Sequence, residues 1–298
     1  MKRRLTTSHV AELLDVSEAT VKRWADAGAI HFDKTAGGHR RFDIAAISRF
    51  QRERLQSTPA GPNPASKKGR GQKQKDPFAG FAFRDSLLHG KDQEASLALI
   101  GAYLRGRGLA ELFDTAITDA MHSIGDLWFR EEITISDEHL ATQVILGAVS
   151  QLRNALAPPT STGLRSICCG VESDLHELPT HLAATLLESR GWKATNLGPN
   201  TPIYSLSELI SMPGRHDFKE TDLICISARI IIDLERTARE IAELHRIGTR
   251  IGARILLGGE AFRDPSIRKK FPADRHASSF AELEEFAEIV EAEEQKTR

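Results

Sequence analysis

The chain has 298 residues, 40% of them hydrophobic, with 40 Lys and Arg against 41 Asp and Glu. That is length enough for two or three folded domains with real cores. Its polar start after Met1-Lys2-Arg3-Arg4, and the lack of any run near ~18 apolar residues, argue against export and membrane insertion and leave the cytoplasm as the expected address.

The near-zero charge balance hides an asymmetry, because residues 1–75 hold 16 Lys and Arg against 7 Asp and Glu, leaving 24 against 34 for residues 76–298. A basic head on an acidic body suits nucleic-acid binding, since phosphate neutralisation supplies most non-specific DNA affinity. Residues 5–14 place Val10, Leu13 and Leu14 on one helical face, with Thr7 or Ser8 as the N-cap. Asp15-Val16 make a turn. Ser17 then caps a second helix over residues 18–27, with Val21 and Trp24 facing inward and Thr20, Lys22 and Arg23 outward. Two short helices joined by a tight turn, the second presenting basic and hydroxyl side chains, read as a helix-turn-helix.

Gly28 ends that helix, and Gly37-Gly38-His39-Arg40-Arg41-Phe42 follows as a hairpin-like wing. Its glycines supply positive φ at the tip, and its far strand starts with bases. A helix from 44 to about 55 closes a head of residues 1–56, whose expected partner is double-stranded operator DNA. Its candidate contacts are Thr20, Lys22, Arg23, His39, Arg40 and Arg41. Residues 57–77, rich in Pro, Gly and Lys and without periodicity, read as a flexible linker.

From 83 to 156 the apolar spacing is helical almost throughout and predicts a four-helix bundle over residues 78–158. After Pro158-Pro159 strands alternate with helices. Strands are expected at 166–170, 194–197, 223–227 and 254–258, with helices at 179–190, 232–247 and 280–292 and shorter ones near 205–211 and 265–271. That alternation predicts a doubly wound, Rossmann-like α/β domain over residues 162–298. Cys168, Cys169 and Cys225 fall inside predicted strands without metal-ligand spacing and read as core residues.

The chemistry-bearing candidates follow strand ends, where open α/β sheets bind ligands. Asp174-Leu175-His176 comes after the first strand, Ser227 ends the third, and Gly258-Gly259 follow the fourth. Taken singly, a loop histidine beside carboxylates is more often a solvated side chain, and paired glycines are more often turn residues. The ordered series, together with Gly191-Trp192, Leu197-Gly198-Pro199-Asn200-Thr201-Pro202 and a Trp128 separated by nine residues from Glu138-His139, resembles the cobalamin-binding module of CarH-type light-sensing transcriptional regulators. The head resembles MerR-type and excisionase-type winged helix-turn-helix domains, through the string from Gly37 to Phe42.

This resemblance implies cobalamin as cofactor, adenosylcobalamin foremost, with His176 as the lower cobalt ligand and Asp174 holding its other ring nitrogen. That logic is general, because a carboxylate at the second nitrogen fixes the tautomer and direction of an imidazole ligand. It further implies that Gly258 and Gly259 admit the nucleotide tail and that Ser227 hydrogen-bonds it. Trp128, Glu138 and His139 would cover the upper face, with Ser136 or Asp137 capping the helix that bears the last two. The implied protein is a light-responsive repressor, not an enzyme, that binds its operator as a homo-oligomer, a dimer or tetramer.

Three residues depart from the family pattern. Pro179 stands where the family has glycine, Arg229 follows Ser227 where a smaller residue is usual, and Phe129 takes the place of a histidine often found after the tryptophan. An alternative is therefore a MerR-type regulator whose cobalamin-like domain binds another ligand or serves as a protein-interaction module.

Overall fold

A computed structural model describes residues 4–56, 78, 82–156, 159–211 and 217–297. The linker expected at 57–77 lies outside the described residues. The chain forms two units, residues 1–157 and 158–298.

The first unit opens with β1 (Arg4–Leu5), α1 (Thr7–Leu14) and α2 (Glu18–Asp26), followed by β2 (Phe32–Lys34), β3 (Arg40–Asp43) and α3 (Ile44–Gln56). Thr6, rather than Thr7 or Ser8, caps α1, its side chain accepting the His9 N–H at 3.2 Å. Asp15 ends that helix in the left-handed region (φ 53°), and Ser17 caps α2 through the Thr20 N–H at 3.2 Å. The hairpin forms as read, with Gly38 alone of its two glycines at positive φ. Strand β1, too short to show alternation, adds antiparallel to β3 and sets Leu5 opposite Phe42. Both are buried, with Val10, Leu14, Val21, Ile30 and Ile47 completing a small core. Trp24 is only half-buried, packed between the Phe50 ring at 4.9 Å and the Arg54 guanidinium at 5.0 Å.

The same unit continues with α4 (Ala82–Leu88), α5 (Asp92–Leu104) and α6 (Leu109–Glu111), the last running through a π-helical turn at Leu112–Ile117 into α7 (Thr118–Phe129). Helix α8 (Ile135–Ala155) follows. Leu99, Ile100, Leu112, Phe113, Ile117, Ile124, Val144, Ile145 and Leu152 are buried among these helices. Thr134, not Ser136, caps α8, and Asp137 is the third residue of a capping box. The Thr134 oxygen accepts the Asp137 N–H at 3.3 Å while the Asp137 carboxylate accepts the Thr134 N–H at 2.8 Å. The apolar periodicity of α7 outlasts its burial. Ile124 is buried, yet Trp128, one turn later, is 47% exposed and Phe129 is 84% exposed.

The second unit contains β4 (Arg165–Val171), α9 (Leu178–Ser189), β5 (Lys193–Thr201), α10 (Ile203–Ser211), β6 (Leu223–Ser227), α11 (Leu234–Ile251), β7 (Arg254–Gly258), α12 (Pro265–Arg268), β8 (Arg275–Ala277) and α13 (Phe280–Thr297). Its five strands lie in the order β5-β4-β6-β7-β8, every neighbouring pair parallel. The three-residue β8 was not expected from the sequence. One face of the sheet packs Ile167, Cys169, Ile224, Ile226, Ile255 and Leu257 against Ile241 and Leu244 of α11 and the apolar side of α10. Cys168, Leu223, Cys225 and Leu256, which alternate with these, are buried too, and such two-sided burial is why β4, β6 and β7 read as apolar runs, while β5 is polar and only half-buried.

All three cysteines are buried in this sheet, as the sequence led one to expect. Burial pushes the Cys169 thiol up to about 12, and the Cys225 contact together with burial raises Cys168 well above its ordinary value. Those two stay protonated, and all three act as small apolar side chains.

From β4 the chain passes to β5 on one side, and the next strand, β6, lies on the other. The loops after β4 and β6 therefore flank a topological switch point, the crevice in which open sheets of this order hold ligands. A close backbone approach fastens the neighbouring loop after β7. Gly259 has φ 103°, and a Cβ there would lie 2.4 Å from the Ala228 carbonyl oxygen. Gly259→Ala should cost about 3 kcal/mol of unfolding free energy. It should lower the urea midpoint at constant m; an unchanged midpoint would refute this packing.

Candidate functional site

The loop at 172–177 leaves β4 and enters α9, whose first turn tolerates Pro179 because no intrahelical N–H bond is needed there. Within it Asp174 is buried, at 2% exposure, while the His176 side chain keeps 43%. Asp174 Oδ1 accepts the His176 backbone N–H at 3.1 Å and sits 2.6 Å from His176 Nδ1. Its Oδ2 accepts the Arg229 backbone N–H at 2.6 Å. One carboxylate thus joins the loops on both sides of the switch point.

Burial pushes the Asp174 carboxyl up, but hydrogen bonds from the His176 ring, the Arg229 backbone and the His176 backbone outweigh it and hold the group below the ordinary carboxylate range. Its stabilising contribution is therefore complete above that range and is lost only as pH falls through the lowered value. An ionised acceptor at Nδ1 places the ring proton there. In the neutral tautomer that this sets, Nε2 is the nitrogen bearing the lone pair.

Two further ties hold this loop and were not singled out from the sequence. The Asn200 side chain accepts the Ser173 N–H at 2.8 Å, and the Asn200 N–H donates to the Asp174 carbonyl at 2.9 Å. Ser173 (φ 69°) and Asn200 (φ 52°) are both left-handed, the signal that a short polar residue in a Pro-Asn-Thr-Pro context can carry. Glu172 pairs with Arg236 of α11 at 2.8 Å.

Ser227 is half-buried at the end of β6, in register with Gly170 and Gly258. Gly259 is required by the Ala228 backbone, as described above, whatever else the glycine pair admits. The Arg229 side chain is exposed, and its contribution here is a main-chain N–H that any residue but proline supplies. Leu175, Ile230 and Ile232 form an exposed apolar set on the same two loops.

In the other unit Trp128 ends α7, and Glu138 and His139 begin α8. Glu138 accepts the Thr142 hydroxyl at 3.1 Å, and His139 Nε2 lies 3.6 Å from its carboxylate. Exposed Ile135 and Leu140 stand beside them in sequence.

On the head, Lys22, Arg23 and His39 are exposed, and Lys22 approaches Glu18 at 3.7 Å. The Thr20 hydroxyl is engaged with Ser17 at 3.0 Å. Arg40 is not the free base that its sequence context suggested, for it pairs with Asp26 at 2.5 Å and lies over the Phe32 ring at 5.2 Å, tying α2 to the hairpin. Arg41 is half-buried, its Nη1 donating to the Arg40 carbonyl at 3.2 Å.

Residues 4–55 match the family described as helix-turn-helix domain, and residues 82–153 match the family described as B12 binding domain. The chain thus joins a helix-turn-helix domain to a B12-binding domain. Dimethylamine corrinoid protein 3 of Methanosarcina acetivorans is 26% identical over 179 residues, which are 58% of this chain and 78% of that protein. Dimethylamine corrinoid protein 2 of Methanosarcina mazei is 22% identical over 204 residues, 66% of this chain and 90% of the relative. The monomethylamine corrinoid protein of Methanosarcina barkeri shares the fold, with a TM-score of 0.56 at 18% identity over 69% of this chain and 94% of that one. No helix among the described residues is long and apolar enough to cross a membrane.

Asp174→Asn keeps the shape but sets an amide against buried N–H donors. It should cost about 1–3 kcal/mol in urea unfolding at neutral pH. A variant as stable as the parent would show that the carboxylate does not join the two loops.

Proposed function

We propose that this chain is a cobalamin-dependent, light-responsive transcriptional regulator. In this reading residues 1–56 are a winged DNA-binding head, 78–158 a four-helix cap and 162–298 the module that holds the cofactor. The observation that carries it is the half-exposed His176, its Nδ1 held at 2.6 Å by a buried carboxylate in a loop beside the sheet's switch point, in a chain that also bears a helix-turn-helix domain.

The donor set fits a corrin. Among the described residues no three His, Cys, Asp or Glu come together to hold a bare ion. A corrin would bring its own metal, for which a single imidazole is ligand enough. His176 would supply that imidazole, and Asp174 would keep its proton on Nδ1 and its ring in place. Ser227 hydrogen-bonds the nucleotide tail, beside Gly258 and Gly259. Exposed Trp128 offers an indole to cover the adenosyl group, and Glu138 and His139 add polar contacts to it. Bound adenosylcobalamin supplies a cobalt–carbon bond that light breaks.

Trp128, Glu138 and His139 would favour one arrangement of the helices only while they touch an adenosyl group, because only differential contacts shift a conformational equilibrium. Phe129 has no lone pair, so it takes no part in ligation. On the head, Thr20, Lys22, Arg23, His39 and Arg41 meet phosphates and base edges, while Arg40 braces the hairpin that presents them. The chain acts as a repressor, binding its operator as a dimer or tetramer, and catalyses no reaction; it works in the cytoplasm. The corrinoid proteins that it resembles support the cofactor class.

Incubation with adenosylcobalamin in the dark should give a coloured protein with an imidazole-ligated absorbance spectrum, which His176→Ala should abolish while lowering affinity. A parent chain that stays colourless would favour the other reading, a regulator whose module takes another ligand or a protein partner. A bound but unaltered spectrum in His176→Ala would place the ligand elsewhere. Trp128→Ala removes a largely exposed ring, so stability should change by only about 0.5 kcal/mol. Yet it should narrow the affinity gap between adenosyl- and hydroxocobalamin. Equal losses for both forms would make Trp128 a packing residue.

A further inference from the structure

Helix α5 carries a buried glycine at position 101 with ordinary helical φ. Glycine in a helix interior is unfavourable relative to alanine, so its presence calls for a packing reason. A Cβ at Gly101 would lie 3.3 Å from Leu13 Cδ2 of α1 and 2.9 Å from Arg105 Nη1. Gly125 and Gly147, which lie inside α7 and α8, meet nothing within 4 Å. The Arg105 tip can swing aside. Leu13 belongs to the buried core of the head and cannot move without opening it.

Arg105 also donates from Nη1 to the Leu13 carbonyl at 3.3 Å. That oxygen lies in the last turn of α1, where helical carbonyls lack intrahelical partners and the helix dipole favours a cation. Helix α3 of the head also packs on α8. The surface bearing Lys22, Arg23 and His39 stays exposed in the same arrangement.

We infer that the face of α5 around Gly101 and Arg105 is a seat for the DNA-binding head, which rides on the helical cap as one body with its basic surface outward. A movement of the cap helices then moves the heads and changes the spacing that they offer to two operator half-sites. The seat stands on its own contacts; its effect on DNA rests on the function proposed above.

The test uses the full chain with Ala19→Cys and Arg130→Cys, both exposed positions, spin-labelled for a distance measurement; the native cysteines are buried and should stay unlabelled. The parent should give one narrow distance, and Gly101→Leu a broad distribution. Operator binding by Gly101→Leu should weaken about tenfold, because heads held only by a linker lose their pre-set spacing. Its cobalamin spectrum should remain that of the parent. Arg105→Met, which cannot disturb the core of the head, should broaden the distance less and weaken binding about threefold. A broad distance in the parent, or narrow distances in both variants, would overturn the seat. Broadened distances with unchanged operator affinity would overturn its role in DNA binding. Absence of operator binding in the parent would count against the proposed function, while the distances still decide the seat.

Discussion

A single buried carboxylate organises the ligand end of the α/β unit. Asp174 accepts hydrogen bonds from its own loop and from the loop after β6, so the two sides of the switch point are joined through one side chain. Such a group is costly to bury unless its partners are complete, and here four N–H donors, the longest from Ile230 at 3.5 Å, complete them. The same bonds fix the ring of His176 and leave its outer nitrogen free. Burial, loop closure and ring orientation are one arrangement.

The rest of that edge follows from how closely backbones must approach. Gly259 is demanded by the Ala228 carbonyl, and a Cβ at Gly170 would lie 3.2 Å from the Pro199 Cα. Asn200 closes the third loop on the second residue of the histidine turn. Of the glycine pair that drew notice as ligand-binding, Gly259 is therefore needed by the fold itself, whereas a Cβ at Gly258 would make only an ordinary 3.4 Å contact with the Ala277 carbonyl.

In the helical half of the first unit the informative point is where packing stops. Helix α7 keeps its apolar spacing past Ile124, but the core does not follow, and Trp128 and Phe129 stand in the open. The π-helical turn at Leu112–Ile117 lies upstream in the same continuous helix. Such turns change the phase of everything downstream, and they recur at functional sites. The indole stands at the end of a helix whose core face has ended.

Much was legible in the sequence because it depends on local physics. Apolar runs marked the buried strands β4, β6 and β7, the 3.6-residue spacing marked the helices, and Ser17 and Asp15 marked the ends of the first two helices. Asp174 and His176 were legible as a pair two residues apart after a strand. What stayed hidden rests on contacts between distant segments. Strands β1 and β8 are too short to show a period and exist only by pairing with a neighbour. Arg40 looked like a free base until Asp26 came beside it. The second acceptor position of Asp174, the clasp of Asn200 and the approach of Leu13 to Gly101 join residues dozens of positions apart. Side-chain chemistry and periodicity determined which elements form and which residues carry reactive groups. Only tertiary structure decided which of those groups are neutralised, aimed or left open, because it alone sets distances between segments that the chain does not place side by side.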